Sequence, residues 1–71
     1  MAIDVVAHIT GTVWEIRVSV GETVQDEQVL VVLESMKMEM PVESPAAGTV
    51  ASVVVEKGQA VEEGEVLLTL E

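Results

Sequence analysis

Short apolar runs separated by polar turns divide this chain into segments that suit β-strands. In residues 14–18 and again in residues 51–55, apolar side chains occupy alternate positions, as in a half-buried strand. Residues 29–33 and 66–70 are nearly continuous apolar runs, as in strands that are buried on both faces. No segment keeps a helical period over roughly ten residues or more. The pattern therefore predicts an all-β fold.

The chain contains two copies of the same sequence motif. Shifting the sequence by 37 positions aligns residues 11–34 with residues 48–71 without a gap, and ten of the 24 aligned positions are identical. Each copy is too small to bury its own apolar face, so the two copies must pack on each other. We expect residues 1–71 to form one domain, a flattened barrel or sandwich of two small antiparallel sheets with pseudo-two-fold symmetry. The identical pairs are Gly11/Gly48, Thr12/Thr49, Val13/Val50, Val18/Val55, Gly21/Gly58, Val24/Val61, Val29/Val66, Leu30/Leu67, Leu33/Leu70 and Glu34/Glu71.

Some positions within the copies have a predicted structural role. Gly11 and Gly48 each open an extended run, where a bend or a close backbone approach favours glycine. Trp14 aligns with Ala51 and is predicted to fill the edge of the core.

The symmetry breaks at residues 35–42, which lie between the two copies and have no counterpart after the second copy. This segment follows a predicted strand, so we expect a β-hairpin with Lys37 exposed at its turn, at the pole opposite the two chain ends. Met40 is expected to point inward, because it alternates with Glu39. Lys57 also precedes a turn but lacks flanking methionines, and no function is assigned to it.

Composition narrows the functional classes. The formal net charge of -10 disfavours nucleic acid and anionic lipid as partners. The chain contains no cysteine and a single histidine, His8, which has no neighbours at metal-ligand spacing. The acidic pairs at residues 26–27 and 62–63 are read as solvated turn charges, so neither a nucleophile–base pair nor a metal site is predicted. The start resembles no signal peptide and the longest apolar run is too short to span a bilayer, so the cytoplasm is the expected location.

The segment between the copies begins within the run Glu34-Ser35-Met36-Lys37-Met38-Glu39. This run resembles the attachment sequence of biotinyl domains, whose core is Met-Lys-Met after a small residue. The resemblance covers nearly the whole chain, including residues 11–13, 47–50 and 58–64. The family often has Ala-Pro where this chain has Ala7-His8, glycine where Glu27 stands, and alanine in place of Ser35.

This resemblance implies a biotin carboxyl carrier of a biotin-dependent carboxylase such as an acyl-CoA carboxylase, and not an enzyme in its own right. Biotin protein ligase would attach biotin covalently to Lys37. The attached group would then move between biotin carboxylase and carboxyltransferase subunits or domains. Recognition is expected to involve the flanking residues Glu34, Ser35, Met36, Met38 and Glu39, and the isolated chain is expected to be a monomer.

Two other interpretations stay open. A lipoyl carrier has a similar fold, although lipoyl sites usually read Asp-Lys-Ala around the lysine, unlike Met36 and Met38 here. An unmodified interaction module would keep the fold and leave Lys37 unchanged. The carboxyl acceptor is not indicated by any residue pattern.

Overall fold

A computed structural model describes residues 2–71; Met1 lies outside the described residues. Eight strands follow one another along the chain, and the described residues contain no helix. None of this part of the chain could therefore cross a membrane as a helix. The strands are β1 (Ile3–Val6), β2 (Gly11–Ile16), β3 (Thr23–Val24), β4 (Val29–Ser35), β5 (Met38–Glu43), β6 (Gly48–Val53), β7 (Ala60–Val61) and β8 (Val66–Leu70).

The strands form two four-stranded sheets in which every pairing is antiparallel. One sheet has the order β1-β8-β6-β3 and the other has the order β5-β4-β2-β7. The predicted all-β architecture of two small antiparallel sheets is confirmed. Each copy of the repeat contributes strands to both sheets, so neither copy could complete a sheet alone.

The symmetry extends beyond the repeat found in the sequence. Strands β1 and β5 occupy equivalent edges, and the backbone hydrogen bonds beside them are duplicated at an offset of 37 residues. The Ala7 amide donates to the Glu65 carbonyl at 2.9 Å, and the Ser44 amide donates to the Gln28 carbonyl at 2.8 Å. The place equivalent to the β4–β5 turn therefore lies between the end of β8 and the start of β1, where Leu70 pairs with Ile3.

The core is built from valine and leucine, with the continuous apolar runs at its centre. Leu30, Val31 and Leu33 are fully buried, as are Leu67, Leu68 and Leu70 in the second copy. The prediction of nearly fully buried strands at these two places is confirmed. The remaining buried apolar residues are Val5, Ala7, Val13, Val18, Val24, Val32, Val42, Val50, Val55 and Val61.

The prediction for Trp14 is wrong, because its side chain is 40% exposed. A β-bulge causes the difference: Val13 pairs with Leu33 and Glu15 pairs with Val32, so Trp14 is the extra residue between them. The bulge turns Val13 into the core instead. The alternation predicted for residues 14–18 therefore fails at Trp14 only, since Ile16 packs against the core and Val18 is buried.

Candidate functional site: the β4–β5 hairpin

The hairpin between β4 and β5 carries every residue of the predicted attachment segment. Ser35 pairs with Met38 at the end of the ladder, which leaves Met36 and Lys37 as the two central residues of the turn. Both have positive φ, +53° at Met36 and +65° at Lys37. Positive φ at both central positions is the pattern of a type I′ turn, whose twist matches that of the flanking strands. The predicted hairpin is present, with Lys37 at its turn.

Positive φ is unusual for residues with a side chain. The left-handed region costs an L-residue about 1–2 kcal/mol, and type I′ turns normally use Asn-Gly or Asp-Gly for that reason. Outside this turn, Glu27 is the only described non-glycine residue with positive φ. The other turn lysine, Lys57, does not carry this strain. In the turn before β7 the residue with positive φ is Gly58, which has no side chain. The Met36–Lys37 turn is therefore a local conformation that the rest of the fold has to maintain.

The base of the hairpin packs tightly against the start of β2. A Cβ placed on Gly11 would lie 2.5 Å from the carbonyl oxygen of Glu34 and 3.4 Å from the Cβ of Ser35. Only glycine fits this close approach without moving a backbone. The close backbone approach that the sequence predicted as one reason for glycine at this position is confirmed, and it is made with the two residues that precede the turn. The repeat signalled this requirement for glycine, because Gly48 occupies the equivalent position in the second copy. A Cβ on Gly48 would lie 2.8 Å from the carbonyl oxygen of Glu71.

Exposure rises steadily from the body of the domain to the turn. Val42, Met40 and Met38 lie on one face of β5, and they are respectively buried, half-buried and 62% exposed. Met40 thus points inward at the margin of the core, as its alternation with Glu39 predicted. Met36 is 92% exposed, and Lys37 is also exposed.

The charges around the turn leave the lysine amine unpaired. Glu34 and Glu39 lie directly opposite each other across the hairpin, and both are exposed. Within residues 2–71 the one ion pair joins Arg17 and Glu15, at 2.6 Å. No carboxylate of the described chain therefore lies within 4 Å of the Lys37 amine. The arrangement offers a primary amine at an exposed turn, free of salt bridges to residues 2–71.

The described residues contain no cluster of three or more side chains suited to a metal ion. His8 is exposed, as are the acidic residues at 26–27 and 62–63.

Comparison with known proteins identifies the family. Residues 1–70 match the biotin/lipoyl family model, which is described as "Biotin-requiring enzyme". The chain belongs to the biotinyl and lipoyl attachment domain family. The match covers all but the last residue of the chain, and so it includes the first copy of the repeat, the hairpin and nearly all of the second copy.

Relatives of this attachment domain include short and very long proteins. It is 52% identical over 48 residues to a biotinylated protein TB7.3 homolog of Mycobacterium leprae, covering 68% of each chain. It is 38% identical over 41 residues to the biotin/lipoyl attachment protein of Bacillus subtilis, covering 58% of this chain and 56% of that one. It is also 48% identical over 42 residues to a pyruvate carboxylase of Staphylococcus aureus, covering 59% of this chain but only 4% of that protein.

Solved structures of two carboxylases contain a segment with the same fold. A single-chain, multi-domain long-chain acyl-CoA carboxylase aligns with a TM-score of 0.91 and 35% identity, covering 96% of this chain and 7% of that one. The urea carboxylase of Kluyveromyces lactis aligns with a TM-score of 0.94 and 27% identity, covering 100% of this chain and 6% of that one. The attachment domain thus corresponds to a small part of each carboxylase.

Proposed function

We propose that this domain is a biotin carboxyl carrier, with Lys37 as its covalent attachment site. The observation that carries the proposal is the Lys37 amine, which forms no ion pair with the described residues and lies at the tip of a strained, exposed turn. A biotinylated relative and the carboxylases that contain the same fold support biotin as the attached group. The complete carboxylase reaction is carried out by much longer proteins, and we propose only that this domain serves such a system as its carrier.

The residues of the hairpin fit such a modification. Lys37 Nζ, once deprotonated in the active site of biotin protein ligase, attacks the acyl carbon of an activated biotin. An amide bond forms, the bond from the acyl carbon to the leaving adenylate oxygen breaks, and the second proton of the amine is released. Attached biotin supplies the group that accepts and donates a carboxyl group. The domain itself contributes the position of the amine and the surface around it.

Tethering explains what the domain adds to the reaction sequence. Lys37 holds its attached group on a domain that can visit a biotin carboxylase site and then a carboxyltransferase site. The tether raises the local concentration at both sites and prevents loss of the intermediate by diffusion. Within the carrier, the paired strands beneath the turn confine flexibility to the lysine side chain and its attached group, while the domain moves as one body between the two sites.

The flanking residues Glu34, Ser35, Met36, Met38 and Glu39 form the surface that we propose the ligase and the carboxylase contact. Two of them are large apolar side chains exposed to solvent, at Met36 and Met38, which packing within the domain does not explain. Ser35 is half-buried and packs toward Gly11, so its small size is matched to the base of the hairpin.

The test is intact mass spectrometry after co-expression with biotin protein ligase and excess biotin. We expect a mass gain equal to biotin minus water in the wild type, no gain in Lys37→Arg, and a full gain in Lys57→Arg. Lys57 is the matched control because it is also an exposed turn lysine, but with its positive φ on the neighbouring Gly58. Thermal unfolding of each variant verifies that Lys37→Arg remains folded.

Two outcomes would contradict the proposal. A mass gain that survives in Lys37→Arg would place the modification elsewhere, and a folded wild type that takes up no biotin would favour an unmodified interaction module. Incubation with lipoate and a lipoate ligase distinguishes the lipoyl carrier, because lipoylated protein would gain a different mass and would not bind avidin.

A further inference from the structure

The sulfur atoms of this chain are concentrated around the proposed attachment site. The sequence has four methionines and no cysteine, so every sulfur is a thioether. Three of these methionines, Met36, Met38 and Met40, lie within one hairpin and alternate with Lys37 and Glu39. A reagent that attacks thioethers would therefore act mainly where the proposed function resides.

The three hairpin methionines differ strongly in their access to solvent. Met36 is 92% exposed and Met38 is 62% exposed, whereas Met40 is half-buried beside the core residue Val42. Met36 has the first positive φ of the turn, and Met38 is the first residue of β5, paired with Ser35 at the end of the ladder. Susceptibility of a methionine to oxidation follows its exposure, so the three side chains provide a graded series within five residues.

We propose that Met36 and Met38 form an oxidation site that controls whether Lys37 is accepted by its modifying enzyme. The oxidant is a peroxide. The thioether sulfur attacks one peroxide oxygen, an S–O bond forms, the O–O bond breaks, and water leaves after proton transfer. Sulfur is oxidised by two electrons, peroxide is reduced, and the sulfoxide is returned to the thioether by a methionine sulfoxide reductase.

The modification changes the surface without disturbing the fold. Neither Met36 nor Met38 belongs to the buried core, so an added oxygen meets solvent and not a packed neighbour. A sulfoxide is nevertheless polar where the thioether is apolar, and it occurs on both sides of Lys37. Placing that polar group into an apolar contact with a partner protein is costly unless a new hydrogen bond forms. Oxidation therefore affects recognition and leaves stability unchanged.

The site itself is tested with the full, unbiotinylated chain under native conditions. Samples are treated with increasing hydrogen peroxide, quenched, digested with trypsin and mapped by mass spectrometry. Cleavage after Arg17, Lys37 and Lys57 separates Met36 from Met38 and Met40, and fragment ions distinguish the latter two. We expect Met36 and Met38 to be fully oxidised before Met40 reacts measurably, with an unchanged thermal unfolding midpoint. Equal rates at all three positions, or unfolding along with the oxidation, would overturn the proposal.

The consequence for Lys37 rests on the proposed function and is measured with biotin protein ligase after the peroxide has been removed. We expect the kcat/KM for biotinylation to fall about tenfold on oxidation, and to recover after treatment with methionine sulfoxide reductases. In the double variant Met36→Leu/Met38→Leu, peroxide should leave the variant's own rate unchanged. An oxidised wild type that is biotinylated at its original rate would overturn the control of Lys37. If the untreated chain takes up no biotin, the proposed function is wrong. The order in which Met36, Met38 and Met40 are oxidised still tests whether the oxidation site exists.

Discussion

Replacing Gly11 with alanine should damage the base of the hairpin in a way that the structure allows us to estimate. The new Cβ would lie 2.5 Å from the carbonyl oxygen of Glu34, whereas real Cβ atoms essentially never approach closer than 3.0 Å. The obstacle is backbone, so β2 and β4 must separate by about 0.5 Å where the hairpin leaves the body. Overpacking of this kind costs about 1–3 kcal/mol. In a domain of this size each kcal/mol lowers the unfolding midpoint by about 4–8 °C.

Gly48→Ala is the matched control, because Gly48 holds the symmetry-equivalent position against Glu71. Its Cβ would lie 2.8 Å from the carbonyl oxygen of Glu71, a milder overlap remote from the hairpin. Neither glycine has a positive φ, so alanine introduces no backbone strain of its own at either position. The two variants therefore differ mainly in which end of the β domain they disturb.

Thermal unfolding followed by circular dichroism, together with ligase kcat/KM at a temperature where both variants are folded, provides the assay. We expect Gly11→Ala to unfold at a lower temperature than Gly48→Ala and to be biotinylated more slowly. Gly48→Ala should be biotinylated at the wild-type rate. The reasoning is refuted if Gly11→Ala matches the wild type in both measurements, or if Gly48→Ala slows the ligase equally.

Three further substitutions test the strain, the core and the charges. Glu27→Gly should raise the free energy of unfolding by about 0.5–1 kcal/mol, because glycine adopts the φ of +68° at this position without strain, as Gly64 does at the equivalent position. Urea denaturation measures this free energy, and no gain would contradict the prediction. Leu33→Ala should lower the same free energy by about 2–4 kcal/mol, since the side chain is fully buried; a loss below about 1 kcal/mol would mean that the site collapses around the smaller residue. Glu39→Gln should stabilise the domain by about 0.2–1 kcal/mol at low salt by removing repulsion from Glu34 across the hairpin. That gain should shrink as salt is added, and a salt-independent effect would exclude charge repulsion as its cause.

The repeat made most of the fold predictable. Two copies too small to bury their own apolar faces had to combine, and this argument led directly to paired sheets with two-fold symmetry. The sequence did not predict that each copy places one short strand, β3 or β7, in the sheet formed mainly by the other copy. The hydrophobic pattern does not indicate which sheet edge a two-residue strand will join. The symmetry of β1 and β5 was also missed. At this offset the two strands share only Val5 and Val42, which are both buried, so sequence identity was too low to reveal the relation.

Local geometry set the limits of prediction at the site. Trp14 was predicted to fill the edge of the core, and the prediction failed because a bulge inserts one residue there and shifts the phase of the alternation. A pattern of apolar residues does not reveal a bulge. The hairpin and its lysine were predicted from their place between the copies and from the family resemblance. Positive φ at Met36 and Lys37 was not, since type I′ turns are normally signalled by asparagine or glycine. That conformation results from the ladder that closes on both sides of the turn.

The strained turn explains why the carrier needs a whole domain beneath one lysine. Two left-handed residues oppose the hairpin by about 2–4 kcal/mol in total, and an isolated two-stranded hairpin is only marginally stable in water. Here β4 is held between β5 and β2, and its residues Leu30 to Leu33 are buried between the sheets. Packing at that level can maintain a turn that the local sequence disfavours. An isolated peptide with the same sequence around Lys37 would lack this support. The position of the amine therefore depends on the core as much as on the hairpin.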